Sequence, residues 1–290
     1  MSNKIKDLIA ILTELGKVKI TFFVAISGSV GYILSKGAFD IELAIAAFAI
    51  FILSVGSAAF NHIQEIKTDG LMNRTKSRPL PSNKISKTDA IIWALFFVLV
   101  GLAMLLYNFS FLTFVFGLFA LVAYNLIYTP LKKITAFAIF PGAIVGALPP
   151  AIGWLAGGGS LADPKILALG LFFFIWQIPH FWFLMLIFDK DYKLAGFPTP
   201  SKYFSEEQLK RITYIWVVGL AATCMMIPYF GVTHSIITNL LLLLAGFILA
   251  WRTRKLVLRY DKNLNIKLAF LDINLYVLFV VVLLSLDKFI

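Results

Sequence analysis

The sequence predicts an all-α integral membrane protein, a bundle of nine transmembrane helices around a central cavity. Composition is the first reason: 290 residues are 60% hydrophobic, 15% aromatic and only 14% charged, far less charge than a water-soluble domain carries. The second is the length of the apolar runs, about 20 residues each, which matches the hydrocarbon thickness of a bilayer. The third is the placement of lysine and arginine, which fall almost entirely on alternate loops. No stretch has the composition of a soluble domain, so residues 1–290 read as a single polytopic membrane domain.

In chain order the spans are expected at 18–35, 42–61, 89–107, 110–129, 134–155, 166–188, 211–230, 234–251 and 271–289. The first follows Lys4, Lys6, Lys17 and Lys19; it is too long for a signal-peptide core and is read as a membrane helix. The second runs into a polar loop at about 62–88, and the sixth into another at about 189–210. The fifth span contains Pro141, Pro149 and Pro150, and the sixth contains Pro179. Proline removes a backbone donor, so kinks or local unwinding around an interior cavity are expected there. The outer connections are short and glycine-rich, as at Ala156-Gly157-Gly158-Gly159-Ser160.

The formal charge of +11 follows the loops. Of the 26 lysines and arginines, all but Lys36, Lys165 and Lys288 lie on the amino-terminal arm or after the second, fourth, sixth and eighth spans. Basic residues collect on the cytoplasmic side of an inner (cytoplasmic) membrane. The amino terminus and both long loops are therefore expected in the cytoplasm, and the carboxyl terminus on the opposite face. This accounts for the positive balance with membrane lipid as partner and no nucleic acid. The single cysteine, Cys224, lies in an apolar run, which excludes disulfides and thiolate metal sites.

The chemistry is concentrated just after the second span. Asn61, Glu65 and Asp69 stand at i, i+4 and i+8. On a continuous helix, neighbours would be ~6 Å apart and the outer pair ~12 Å. One ion cannot then be held by both Asn61 and Asp69 unless the helix bends. A row of oxygen ligands holding magnesium along a diphosphate fits better, because magnesium takes one or two carboxylates and leaves its other positions to water and phosphate. Arg74, Lys76 and Arg78 follow at once and supply cations for the phosphate oxygens. Beside a greasy interior, this set suits a substrate with a polyphosphate head and a hydrocarbon tail. The competing reading is a charged loop solvated at the membrane surface, since acids at i, i+4 are common.

The run NHIQEIKTDGLMNRTKSRPLP, from Asn61 to Pro81, resembles the first motif of the UbiA superfamily of intramembrane prenyltransferases. More narrowly, it is similar to the branch that farnesylates protohaem IX. Tyr128-Thr129-Pro130-Leu131-Lys132-Lys133 with Gly142…Gly146-Ala147-Leu148-Pro149-Pro150…Gly153-Trp154 is similar to a second stretch of that branch. Trp176-Gln177-Ile178-Pro179-His180-Phe181 with Asp191-Tyr192-Lys193-Leu194-Ala195-Gly196-Phe197-Pro198 is similar to a third, and Gly16-Lys17-Val18-Lys19-Ile20-Thr21 suits its start. The resemblance covers most of the chain in the right order. It implies a UbiA-type bundle that moves a farnesyl group from farnesyl diphosphate to a vinyl group of haem B, with addition of water. The products would be haem O and diphosphate, and Mg2+ the cofactor. Carried over, Asn61, Glu65, Asp69 and Asp191 would be the catalytic, magnesium-binding residues. Arg74, Arg78, Lys132, Lys193, Tyr128 and His180 would contact substrate, and membrane proteins that handle haem would be partners.

Two departures favour the haem branch: Glu65 stands where many relatives have aspartate, and His62 where many have aspartate beside the asparagine. The second acidic motif is reduced to Asp189-Lys190-Asp191. His180 reads either as a group that ligates or orients the porphyrin, or as a packing histidine bonded to backbone freed by Pro179. His62 points off the carboxylate face and reads as structural. Tyr124, Asn125 and Tyr128 share the inner end of the fourth span. Rival functions are a UbiA enzyme with a quinone-precursor or lipid acceptor, and a transporter. A transporter would place its polar groups near the midplane rather than in two loops on one face.

Overall fold

A computed structural model describes residues 3–258 and 266–287, so Arg259, Lys262 and Lys288 of the charge count lie outside the described residues. Among the described residues nine helices are long and apolar enough to cross a membrane. They follow an amphipathic helix, α1 (Asn3–Leu15). The spans are α2 (Val18–Lys36), α3 (Ile41–Gln64, continued by the short α4, Ile66–Leu71), α5 (Lys87–Asn108), α6 (Phe111–Leu131), α7 (Ala136–Ala156), α8 (Pro164–Leu194), α9 (Glu206–Tyr229), α10 (Ile236–Leu256) and α11 (Ile266–Asp287). Helices are the form an isolated span must take, because lipid offers no partner to a free N–H or C=O. Their starts are marked by residues whose side chains accept the first free amides: Asp40, Ser86, Ser110, Asp163, Ser205 and Ser235. The protein is an integral multi-pass membrane protein of all-α class.

Each span agrees with its expected limits to within a turn or two, and α8 runs furthest past its forecast, to Leu194. The amphipathic α1 was not anticipated. Leu12 and Leu15 pack it against Ala59, Leu80, Ala90 and Ala94, at the end of the bundle where α3 finishes and α5 begins. Side chains such as Phe22, Leu99, Phe111 and Leu167 face outward, as lipid-facing residues do. The most enclosed span is α7 and the least enclosed is α6.

The close core is made by small residues. A Cβ on Gly31 would fall 1.9 Å from the Pro150 carbonyl oxygen, and one on Gly153 would fall 1.7 Å from that of Gly28. The backbones of α2 and α7 therefore touch directly, as lipid-embedded helices do where glycine permits. The prolines differ from expectation. Helix α7 passes through Pro149 and Pro150, and α8 passes through Pro179; the one non-helical residue inside α8 is Phe188, at φ −117° and ψ 19°. A cavity of about 580 Å³ opens at the loop end between α8 and α9, lined by Trp182, Met185, Leu186, Asp189, Asp191 and Leu209 among others.

Candidate active site

The motif segment is not one helix. Glu65, at φ −111° and ψ 9°, breaks α3 from α4. The cause is tertiary: the Lys133 ammonium donates to the Gln64 carbonyl at 2.8 Å, and Gln64 Nε2 donates to the Asn125 carbonyl at 2.8 Å. A carbonyl taken by lysine no longer needs the amide one turn on, so the chain can turn at Glu65. This is the bend without which Asn61 and Asp69 could not approach one ligand.

The facing wall is α6, whose last part, Ala123–Tyr128, is a π-turn closed by the Thr129 amide on the Tyr124 carbonyl. The wider turn brings Asn125 and Thr129 against α3. Asn125 accepts from Ser57 Oγ at 2.6 Å and donates to the Ser57 carbonyl at 2.9 Å, and Asn61 Nδ2 donates to Thr129 Oγ1 at 3.1 Å. With its Nδ2 so engaged, Asn61 turns its Oδ1 to the Lys17 ammonium, 2.7 Å away.

Around this lattice the predicted residues gather. Asn61, Glu65 and Asp69 are 0, 4 and 1% exposed, which rules out a solvated surface loop. Glu65 pairs with Lys132 at 2.7 Å, and Asp69 takes Arg78 Nη1 on both oxygens at 2.9 and 2.8 Å. Lys17, Arg78 and Lys132 thus converge on two carboxylates, leaving an excess of positive charge. Burial works to lower the Lys132 ammonium, but the Glu65 carboxylate overrides it and holds the group above its ordinary value. Lys17 has no carboxylate of its own; burial, then the charges of Arg78 and Lys132, bring it down to about 7.

Lys17 is the residue that sequence reasoning missed, having been counted as part of the basic arm. It sits in the left-handed region at φ 48°, ψ 46°, where a residue with a Cβ is strained by roughly 1–2 kcal/mol. A Cβ on neighbouring Gly16 would lie 2.7 Å from Val55, so the chain presses on α3 there and the strained turn aims Lys17 at Asn61. His62, expected to be structural, is 1% exposed, and neither ring nitrogen has a hydrogen-bond partner among the described residues.

The remaining predicted residues lie at the rim or deeper. Asp191 accepts from the Arg74 amide at 3.3 Å, and the Arg74 guanidinium lies 5.0 Å over the Phe188 ring, so the first motif loop touches the end of α8. Lys193 is drawn aside by Asp189 at 2.7 Å, which also accepts from Ser201 Oγ at 2.7 Å. Tyr128 sits under Lys132, with the ammonium 5.2 Å from its ring centre. From there an aromatic file descends: Tyr124 to Tyr128 at 5.7 Å, Tyr128 to Phe181 at 5.8 Å, Phe181 to His180 at 5.9 Å and His180 to Trp176 at 5.2 Å. Gly142 on α7 makes room for it, since a Cβ there would strike Tyr128 at 2.7 Å, and Gly146 one turn on makes room for Gln177, which a Cβ would meet at 2.4 Å.

The donor set fits magnesium in one specific sense. Asn61, Glu65 and Asp69 are hard oxygen donors, but among the described residues no three histidine, cysteine or acidic groups form a ready-made metal cluster. That suits an ion arriving with phosphate oxygens and needing only one or two carboxylates from the protein.

Comparison with known proteins places the chain in a family. Residues 22–276 match the UbiA prenyltransferase family. The chain is 32% identical over 241 residues to a protoheme IX farnesyltransferase of Nitratidesulfovibrio vulgaris, covering 83% of this chain and 84% of that protein. It is 32% identical over 298 residues to another from Christiangramia forsetii, covering 99% and 96%. Its fold is similar to a UbiA homologue from Archaeoglobus fulgidus bound to DMAPP and Mg2+, with a TM-score of 0.73 at 15% identity over 96% of this chain and 99% of that one. The nine-span bundle, the buried oxygen-and-cation cluster and these matches together show that the chain belongs to the UbiA prenyltransferase family, a family of intramembrane prenyltransferases.

Proposed function

We propose that this protein transfers a farnesyl group from farnesyl diphosphate to a vinyl group of protohaem IX (haem B), with addition of water, giving haem O and diphosphate. The observation that carries the reading is the buried cluster of Asn61, Glu65, Asp69, Lys17, Arg78 and Lys132 at the head of the aromatic file. The relatives named protoheme IX farnesyltransferase support haem as the acceptor and farnesyl as the donor.

The diphosphate head binds at the cluster and the isoprenoid tail lies along the file. Lys17, Arg78 and Lys132 take the phosphate oxygens, with Arg74 closing the rim. When bound, magnesium would be held by Asn61, Glu65 and Asp69, with Asp191 from the end of α8, and would add charge stabilisation at the leaving group. The C1–O bond of the donor breaks and its electron pair leaves with the diphosphate. One cation at ~4 Å is worth roughly 4 kcal/mol against a unit charge at an effective dielectric of ~20. Because the diphosphate is already an anion when it binds, only the attraction to the further charge that develops on the leaving oxygen lowers the barrier. Tyr128 and Phe181 face the allylic cation with their rings and exclude stray water. The vinyl group bonds to C1, water adds to the other vinyl carbon, and a proton is released. His180, deeper on the same file, belongs to the haem side.

The cluster lies on the cytoplasmic face in this reading. The amino terminus shares that face, the carboxyl terminus lies opposite, and the loops at about 62–88 and 189–210 cap one polytopic domain of the inner membrane. The test uses purified full-length protein with farnesyl diphosphate, haem B and magnesium. Diphosphate release in step with farnesylated haem, abolished by EDTA and restored by magnesium, is expected. Turnover with a quinone precursor or lipid acceptor and none with haem would replace the acceptor.

A further inference from the structure

His180 stands near the middle of α8, and its Nδ1 lies 2.9 Å from Asn274 Oδ1 on α11. The orientation of the Asn274 amide is set independently, because its Nδ2 donates to the Phe270 carbonyl at 2.6 Å. A carbonyl oxygen only accepts, so the amide nitrogen must face Phe270 and the amide oxygen must face the imidazole. Nδ1 of His180 then carries the proton, and Nε2 carries a lone pair. Nε2 makes no hydrogen bond among the described residues and is not among the fully buried unpartnered atoms, so it keeps some accessible surface and is free to bond. The ring is held by Phe270 at 4.9 Å, Trp176 at 5.2 Å and Phe181 at 5.9 Å.

We propose that Asn274 is a positioning residue that fixes His180 as its Nδ1–H tautomer and so presents Nε2 as a ligand to the haem iron of the acceptor. The proposal rests on the reading of haem as acceptor and adds to it the residue that makes His180 a ligand. A metal-binding imidazole ordinarily donates its other N–H to an orienting acceptor, which is the role the geometry assigns to Asn274. A histidine and an asparagine from two different spans are also costly groups to keep among lipid-embedded helices without a function. The partner is an amide rather than a carboxylate, so it orients the ring without raising its basicity as a negative charge would. A ligand of moderate strength suits a haem that must leave as product. Holding the porphyrin at its central iron leaves its edges free, and the vinyl groups stand on those edges. Phe181 joins His180 to Tyr128, so the ligand sits on the same file as the diphosphate cluster.

The test titrates the full chain in lipid nanodiscs with ferric haem B and, separately, with metal-free protoporphyrin IX. The native protein and Asn274→Asp are expected to give the absorption spectrum of imidazole-ligated haem. His180→Ala loses that spectrum and regains it with added imidazole. Asn274→Leu weakens haem binding by roughly 10- to 100-fold and leaves metal-free protoporphyrin binding unchanged. The proposal is overturned if Asn274→Leu keeps native haem affinity and spectrum. It is equally overturned if that variant loses both porphyrins alike, since a packing role alone would do that. Binding of neither porphyrin by the native protein would instead overturn haem as the acceptor, and this inference with it.

Discussion

At the scale of single residues, the reactive group with the least support in the sequence is Lys17. Its contact with Asn61 at 2.7 Å depends on a left-handed turn at φ 48° that no pattern of residue types announces. Its role yields a direct prediction. A charge-assisted hydrogen bond is worth ~1.5–3 kcal/mol, so Lys17→Met should weaken farnesyl diphosphate binding by about 10- to 150-fold. Binding of farnesol, which has the tail without the charge, should stay the same. Equal affinity of both proteins for the diphosphate, measured by calorimetry, would remove Lys17 from the site. Asn61, Glu65, Asp69 and Arg78 were legible because residue type and spacing carry the chemistry even before geometry is known. Lys193 was placed with substrate by the family resemblance alone, and geometry adds its ion pair with Asp189 at 2.7 Å.

At the scale of elements, the sequence showed where helices run but not where they turn. The break at Glu65 is made by Lys133 and Asn125, sixty or more positions away, and the π-turn of α6 has no residue signature of its own. Proline was the visible signal for distortion, yet α8 passes through Pro179 and departs from helical geometry at Phe188. Lys133→Met leaves the Gln64 carbonyl to an ordinary helical bond and straightens the turn. Turnover should fall by about tenfold, an effect of ~1.4 kcal/mol on the barrier, while the thermal midpoint changes little. An unchanged kcat would detach the bend from catalysis. Gly31→Ala tests the packing of α2 on α7, because the new Cβ would fall 1.9 Å from the Pro150 oxygen. Overpacking of this kind costs ~1–3 kcal/mol and should lower the thermal midpoint in detergent on the order of 5 °C. A midpoint equal to the native one would mean that the two helices part without cost.

At the scale of the whole molecule, the bundle was the most legible feature, because bilayer thickness leaves a span little freedom in length or form. Hence α5, forecast at 89–107, is found at Lys87–Asn108. The amphipathic α1 escaped because it is neither long nor apolar enough to stand out as a span. The distribution of Lys67, Arg74, Arg78 and their neighbours predicts orientation. In a Cys224→Ser background, a cysteine at exposed Ser82 should react with a membrane-impermeant maleimide from the cytoplasmic face only. One at exposed Ala162 should react from the opposite face only, and the reverse pattern would invert the topology.

The central claim is that the Asn61–Glu65–Asp69 cluster activates a prenyl diphosphate for transfer to haem. It is tested most directly by chromatography with mass detection of haems extracted from cells that produce the native protein or Asp69→Ala. Asp69 is 1% exposed and bound to Arg78 on both oxygens, so its loss leaves Arg78 without its anchor at the head of the file. The account predicts farnesylated haem with the native chain and haem B alone with the variant, which should be present in membranes at native levels. Farnesylated haem from a fully active Asp69→Ala protein, or haem B alone from both, would contradict it.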